Sequence, residues 1–258
     1  MARVPIELPL SPALASGSMP GGTSGSTAVV SGADARHLAK VLRMQVGDAV
    51  VAFDGAGREW DARITALTPT RVDLALGEAR VSARESRCVV LLGQGMGKGE
   101  KLELVVRATT ELGVKEIVPV LTARAIAEGK GEGRVERWQK IAAEACKQCG
   151  RAVVPTVFAP ESLEAFLARA SRCVVKIVLW EGGGVSMNAL PPAPSLREGE
   201  KEFVAVLVGP EGGLSADEVE KAKAAGFVAV SLGPRILRTE TAGIVAVAVL
   251  QALRGDLA

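Results

Sequence analysis

Residues 203–253 read FVAVLVGPEGGLSADEVEKAKAAGFVAVSLGPRILRTETAGIVAVAVLQAL. The first six, 203–208, are a continuous apolar, β-branched run, which predicts a strand buried on both faces of a parallel sheet. A turn has to follow, and Gly209-Pro210-Glu211-Gly212-Gly213 supplies it. Ser215 with Glu218 three residues on is a capping box that predicts a helix from about Ala216, and Gly226 stops it. A second buried strand over 228–232 runs into Gly233-Pro234-Arg235-Ile236-Leu237-Arg238-Thr239-Glu240-Thr241, and an almost wholly apolar helix is expected over 242–253. Strand, glycine loop, helix, strand, loop, helix is the rhythm of an open parallel sheet, whose ligand site lies off the carboxyl ends of the strands. Both loops sit at such ends.

Glycines let backbone N–H groups approach a ligand closely and permit positive φ, but dense glycine turns are common without a ligand. The second loop is more informative. Two arginines and a glutamate flank Ile236 and Leu237 between a buried strand and an apolar helix, which costs desolvation unless they pair with each other or with a ligand. GPEGG-x-S-x-x-E followed by SLGPRILRTETA resembles the C-terminal signature of the SPOUT-class RNA methyltransferases. More narrowly it resembles the RsmE-type enzymes, which methylate N3 of a uridine in small-subunit ribosomal RNA.

The composition fits that class without selecting it. At 258 residues, 48% hydrophobic and 23% charged, the chain is an ordinary globular protein of one large or two modest domains. Aromatics make up 3%, with no Tyr, which excludes a platform that stacks splayed bases on exposed rings. A net charge of +2 confines any RNA footprint to a local patch. No leader pattern opens the chain and no apolar stretch approaches the ~20 residues that span a bilayer, so no membrane association and a cytoplasmic location are expected. Cys146 and Cys149 form a CxxC, but zinc would need two more ligands, and the chain has one histidine and no second cysteine pair. No metal is expected, and incidental packing is the reading of the pair.

Taken in order, residues 11–26 are a Ser/Gly/Pro loop, and Ser31 with Asp34 predicts a capped helix over 35–44. Arg36, Lys40 and Arg43 fall at i, i+4 and i+7 on it, one cationic stripe with His37 alongside. A solvated face is the ordinary reading of such a stripe. Short strands over 49–53, 59–67 and 71–76, with a hairpin turn at Asp54-Gly55, make a β-rich domain ending near residue 80. From residue 88 strands alternate with longer helices: strands over 88–92, 117–121 and 174–180, helices over 101–112 and 135–149, and a short one capped by Ser162. GQGMGKGEK, beginning at Gly93, satisfies neither the dinucleotide fingerprint nor the P-loop. Residues 124–134 and 182–200 are expected as loops.

The resemblance adds what pattern cannot. It implies an α/β chain with a PUA-like RNA-binding domain over 1–80 and a SPOUT methyltransferase domain over 81–258. Pattern alone gives an unknotted sheet, whereas the family implies a trefoil knot, S-adenosyl-L-methionine in its loops, and a homodimer through apolar helices. It implies cofactor contacts from Gly209, Glu211, Gly212 and Gly213 on one side and Leu232, Gly233, Ile236, Leu237, Arg238 and Thr241 on the other. It raises Arg36, His37, Lys40 and Arg43 to candidate RNA ligands, joined by Arg3 and by Gln148 and Arg151 of an EA-x-x-Q-x-x-R-like segment.

N3 of uracil becomes nucleophilic only as its proton leaves, so a cation beside O2 or O4 would stabilise the developing imidate. Arg238 is the candidate for that role, with Arg3 or Arg151 in support, and Glu240 is expected to orient an arginine. The substrate implied is 16S ribosomal RNA, within an assembled small subunit. The competing readings are a SPOUT enzyme for another position, such as a ribose 2'-hydroxyl, and a non-catalytic RNA-binding or ribosome-assembly factor.

Overall fold

The computed structural model describes residues 1–6, 26–97, 99–125, 133–197 and 199–257. Most of the loop expected over 11–26, and residues 126–132 of the one expected over 124–134, lie outside the described residues. The chain divides into two compact units, Met1–Glu85 with Cys146–Val154, and Ser86–Ala145 with Pro155–Ala258.

The first unit holds β1 (Ala2–Pro5), β2 (Thr27–Ser31), α1 (Gly32–Arg36), β3 (Ala49–Phe53), β4 (Arg58–Leu67) and β5 (Arg71–Val81). They form one sheet in the order β1-β3-β4-β5-β2, with β1 parallel to β3 and the remaining pairs antiparallel. β4 shows the alternation of a sheet with one wet face: Trp60, Ala62 and Ile64 are buried while Asp61, Arg63 and Thr65 are exposed. The inward residues join Val4, Val30, Leu38, Val50 and Leu74 in a core. Asp54 builds the hairpin turn by accepting the N–H groups of Ala56 and Arg58 at 2.9 and 3.0 Å.

The helix expected over 35–44 is different. α1 stops at Arg36 and a π-helical turn, His37–Val41, takes over. Ser31 makes no side-chain cap, because it is the last residue of β2 and is paired with Arg71 in the ladder. The wider turn leaves Leu42 N–H on the His37 carbonyl, and Arg43 adopts φ +52°, which brings Met44 back against the core. The three cations therefore do not form a straight α-helical stripe.

Arg3 and Arg80 grip Glu59 at 2.9 and 3.0 Å, and Arg3 lies over the Phe53 ring. Burial works to raise the Glu59 pKa, but the hydrogen bonds from Arg3 and Arg80 outweigh it and hold the carboxyl below its ordinary 4.5. A depressed folded pKa contributes stability above the unfolded value that is lost as pH falls through the folded one. Unfolding midpoints measured from pH 6 downward should therefore fall below about pH 4.5, and Glu59→Gln should flatten that limb relative to the parent.

The second unit holds β6 (Cys88–Gly95), α2 (Lys101–Glu111), β7 (Glu116–Leu121), most of α3 (Arg134–Cys149), β8 (Thr156–Val157), β9 (Glu161–Ser162), α4 (Leu163–Arg169), β10 (Val175–Leu179), β11 (Val185–Ser186), β12 (Glu202–Val208), α5 (Ala216–Ala224), β13 (Val228–Ser231) and α6 (Thr239–Arg254). The sheet is parallel in the order β11-β13-β10-β12-β6-β7-β8, with β9 also on β7. Ala205 and Leu207 of β12 join Phe166 of α4 and Val219 of α5 in one cluster. The alternate residues Val204 and Val206 point the other way, where α6 packs on β6 and β12 with α2 beside it.

Two expectations need correction. α6 starts at Thr239, three residues before the apolar run, because tertiary bonds hold its first turn: Thr239 Oγ1 donates to Gly209 O and accepts from Gln94 Nε2. The stretch 182–200 is not all loop, since it contains β11 and a 3-10 turn, Met187–Ala189, with Met187 buried. β10 and β11 lie on opposite sides of β13, so residues 180–184 cross it. The crossing is close: a Cβ on Gly184 would stand 2.5 Å from Ala229 O.

Arg254 closes α6 by an ion pair with Glu202 at 2.5 Å, with side chains only 3% and 2% exposed, and Glu202 Oε2 has no hydrogen-bond partner. Removing one member of such a pair strands the other. Arg254→Leu should lower the unfolding free energy by about 3–5 kcal/mol in urea titration, and adding Glu202→Leu should restore much of that loss.

Candidate functional site

β13, β10 and β12 are neighbours, and their carboxyl ends open into residues 232–238, 180–184 and 209–215. These segments enclose a cavity of about 430 Å³. Of the residues implicated by sequence, Gly209, Glu211, Gly213, Leu232, Gly233, Ile236, Leu237 and Arg238 line it, while Gly212 and Thr241 do not. Lys101, Trp180, Glu181 and Arg235 also line it. Ile236 is 83% exposed, an apolar side chain that water surrounds unless something fills the cavity beside it.

The loop 209–213 is seated on backbone. A Cβ on Gly95 would fall 2.3 Å from Pro210 N, and one on Gly97 would fall 2.6 Å from Glu211 Oε2. The glycines of GQGMG, which fit neither nucleotide template, are thus the bed on which the second glycine loop rests. Gly213 has φ +70°, and a Cβ there would stand 2.7 Å from Glu181 Oε1. Beyond the loop, the Ser215–Glu218 capping box is present in full, and Glu218 also accepts the Ala123 N–H at 2.7 Å. Arg124 donates to Gly212 O at 2.8 Å, which gives that glycine carbonyl a part in fastening the loop rather than lining the cavity.

Lys101, at the first position of α2, reaches Glu211 Oε1 at 2.8 Å and Glu240 Oε2 at 3.8 Å. Its hydrogen bond to Glu211 raises the ammonium above its ordinary range. The cation beside Glu240 among the described residues is therefore this lysine, where an arginine was expected. Sequence reading missed Lys101. The available signal was a cation closing a glycine loop at a helix start.

The remaining candidates divide by exposure. Arg36, His37, Lys40, Arg43 and Gln148 are exposed. Arg151 is buried, its side chain 5% exposed against Glu85 at 2.8 Å, and Glu85 also accepts the N–H groups of Ala152 and Val153. Arg3 is 11% exposed and spans Glu59 and the Arg151 carbonyl. Both arginines work inside the first unit. Of the CxxC, Cys146 is buried and donates to Val153 O, and burial pushes its thiol up to about 12, far from a neutral-pH nucleophile. Among the described residues no cluster of three or more His, Cys, Asp or Glu could hold a metal ion, and no helix is long and apolar enough to cross a membrane.

A cavity between glycine-rich loops at the carboxyl ends of a parallel sheet is the ligand site of an α/β enzyme. The model for an RNA methyltransferase domain matches residues 84–251, and that for an RNA methyltransferase PUA domain matches residues 30–76. The chain belongs to the ribosomal RNA small subunit methyltransferase E family. The Bacillus subtilis member is 32% identical over 88% of this chain and 92% of its own, and the Synechocystis member 33% identical over 88% and 74%. The crystal structure of the Neisseria gonorrhoeae enzyme bound to S-adenosyl methionine superposes with a TM-score of 0.81 at 30% identity, covering the whole of both chains. The α/β SPOUT fold with a PUA-like companion follows for this chain.

Because Gly95 is closed by backbone rather than by a mobile side chain, Gly95→Ala should cost about 1–3 kcal/mol in denaturant titration. An unchanged midpoint would show that the 209–213 loop yields freely.

Proposed function

We propose that this enzyme transfers a methyl group from S-adenosyl-L-methionine to N3 of a specific uridine in 16S ribosomal RNA. The observation that carries the reading is the convergence of the 209–213 and 232–238 loops on one cavity, in a chain of this family. Its volume is in the range of small-ligand sites, and Gly209 and Gly213 line it with backbone. A bound cofactor would supply the activated methyl group at its sulfonium.

The chain's own residues bind and polarise. Gly209, Glu211 and Gly213 would hold one side of the cofactor, with Gly212 fastened behind them. Leu232 and Gly233 would offer backbone groups on the other side, Ile236 and Leu237 an apolar slot for the adenine, and Thr241 support from the first turns of α6. Arg238, exposed at the cavity and serving as the N-cap residue of α6, would stand beside a uracil carbonyl and stabilise the imidate as N3 loses its proton. Arg235 and Lys101 line the same cavity and would add positive charge beside Arg238. Arg36, His37, Lys40, Arg43 and Gln148 would meet phosphates and sugars, which position RNA without reading it.

Several finer features belong to the same reading. α6 keeps a partly exposed apolar face in Ile244, Val245, Ala248 and Val249, continued by Leu253 and by Leu104 of α2. A second copy of the chain covering that face makes a homodimer. The crossing of residues 180–184 over β13 is the local form that the family's trefoil knot requires. The substrate is the assembled small subunit, in the cytoplasm.

Two measurements test this. A methyl group on N3 blocks the Watson–Crick edge, so reverse transcription of 16S ribosomal RNA from the parent strain should stop at one uridine. Deletion of the gene should restore read-through, and a 2'-O-methyl product would leave no such dependence. Arg238→Ala should keep cofactor affinity within a few fold while removing most turnover, about a hundredfold or more. Equal loss of both would make Arg238 a binding residue.

A further inference from the structure

We propose that Glu181 reads the sugar of the cofactor, its carboxylate accepting hydrogen bonds from the vicinal 2'- and 3'-hydroxyls of the ribose. The inference rests on the S-adenosyl-L-methionine reading of the cavity and deepens it.

Strand order brings Glu181 there. β10 lies between β12 and β13, the two strands whose ends release the two binding loops. The residues that follow the end of the middle strand, Trp180 and Glu181, stand between those loops and line the cavity. An acidic side chain at a strand end beside a glycine loop is the arrangement by which parallel-sheet enzymes take a ribose hydroxyl.

The other carboxylate lining the cavity has a partner already. Glu211 accepts from Lys101, and Arg124 donates to Gly212 O. Glu181, among the described residues, has no hydrogen-bond or ion-pair partner. Glu181 is exposed, and its carboxylate lies over the backbone of Gly213: a Cβ there would be 2.7 and 3.2 Å from Oε1 and Oε2. Gly213 is required by its φ of +70°, and the Glu181 carboxylate lies over it. The chain then turns away at once, since a Cβ on Gly182 would strike the Trp180 ring at 2.5 Å. A carboxylate at the edge of a ligand cavity with no protein partner on either oxygen is an acceptor pair, and a vicinal diol is the neutral group that offers two matching donors.

The test is a binding experiment with the full chain and needs no RNA. Titration calorimetry would measure S-adenosyl-L-methionine, S-adenosyl-L-homocysteine and the 2'-deoxy analogue of the latter against the parent, Glu181→Ala and the isosteric Glu181→Gln. The proposal predicts that Glu181→Ala weakens the first two ligands alike, by about tenfold or more. It also predicts that the penalty for removing the 2'-hydroxyl, present in the parent, largely disappears in Glu181→Ala, the coupling a double-mutant cycle reads. Glu181→Gln, which keeps one acceptor oxygen, should fall between, and it carries the test should the alanine variant fold poorly. Loss confined to S-adenosyl-L-methionine would overturn the proposal by showing that the carboxylate answers the sulfonium charge, and unchanged affinities would overturn it outright. A parent chain that binds neither ligand would overturn the cofactor reading as well, an outcome distinct from binding that ignores Glu181.

Discussion

The site depends on one contact between two stretches of backbone. Gly209 and Pro210 lie directly on Gly95 at the end of β6, at a separation that leaves no room for a Cβ, and the Glu211 carboxylate lies over Gly97. The bond from Thr239 Oγ1 to Gly209 O ties the same loop to the first turn of α6. Strand β12, its loop, the loop after β13 and the last helix are thereby held as one assembly. A cavity built this way is pre-organised, because its walls are fixed by packing and hydrogen bonds rather than by side chains that a ligand must gather. Binding then loses little to ordering the protein.

The same assembly explains where charge sits. Lys101 arrives from α2 and meets Glu211 at 2.8 Å, so the acidic residue of the glycine loop is neutralised on one side. Arg235 and Arg238 face the cavity from the other loop. Positive charge at the edge of a cleft suits both a polyanionic RNA and an imidate forming on a uracil ring, and it does so without a strongly basic chain overall. In the first unit, by contrast, Arg3 and Arg151 pair with Glu59 and Glu85, while Arg36, Lys40 and Arg43 are exposed.

Much of the fold was legible because short-range rules govern it. Buried parallel strands read as apolar runs, and Ser215 with Glu218 marked the start of α5 to the residue. What escaped were the contacts that strand order alone creates. Nothing local in Lys101 or Glu181 says that β6 and β10 end beside β12, so neither stood out as a site residue. The early start of α6 escaped for a related reason, since it is set by tertiary bonds of Thr239 that override periodicity. Arg3 and Arg151 show the limit in the other direction: an arginine in a string does not reveal whether its partner is a phosphate or a buried glutamate.

The central claim is that this cavity serves methyl transfer to a uracil nitrogen. Its most direct test is to incubate the purified chain with methyl-labelled S-adenosyl-L-methionine and small ribosomal subunits from a strain lacking the activity, then digest the RNA and separate the nucleosides by mass spectrometry. Label in 3-methyluridine is the predicted result. Label in a ribose-methylated or other nucleoside, or none despite cofactor binding, would contradict it.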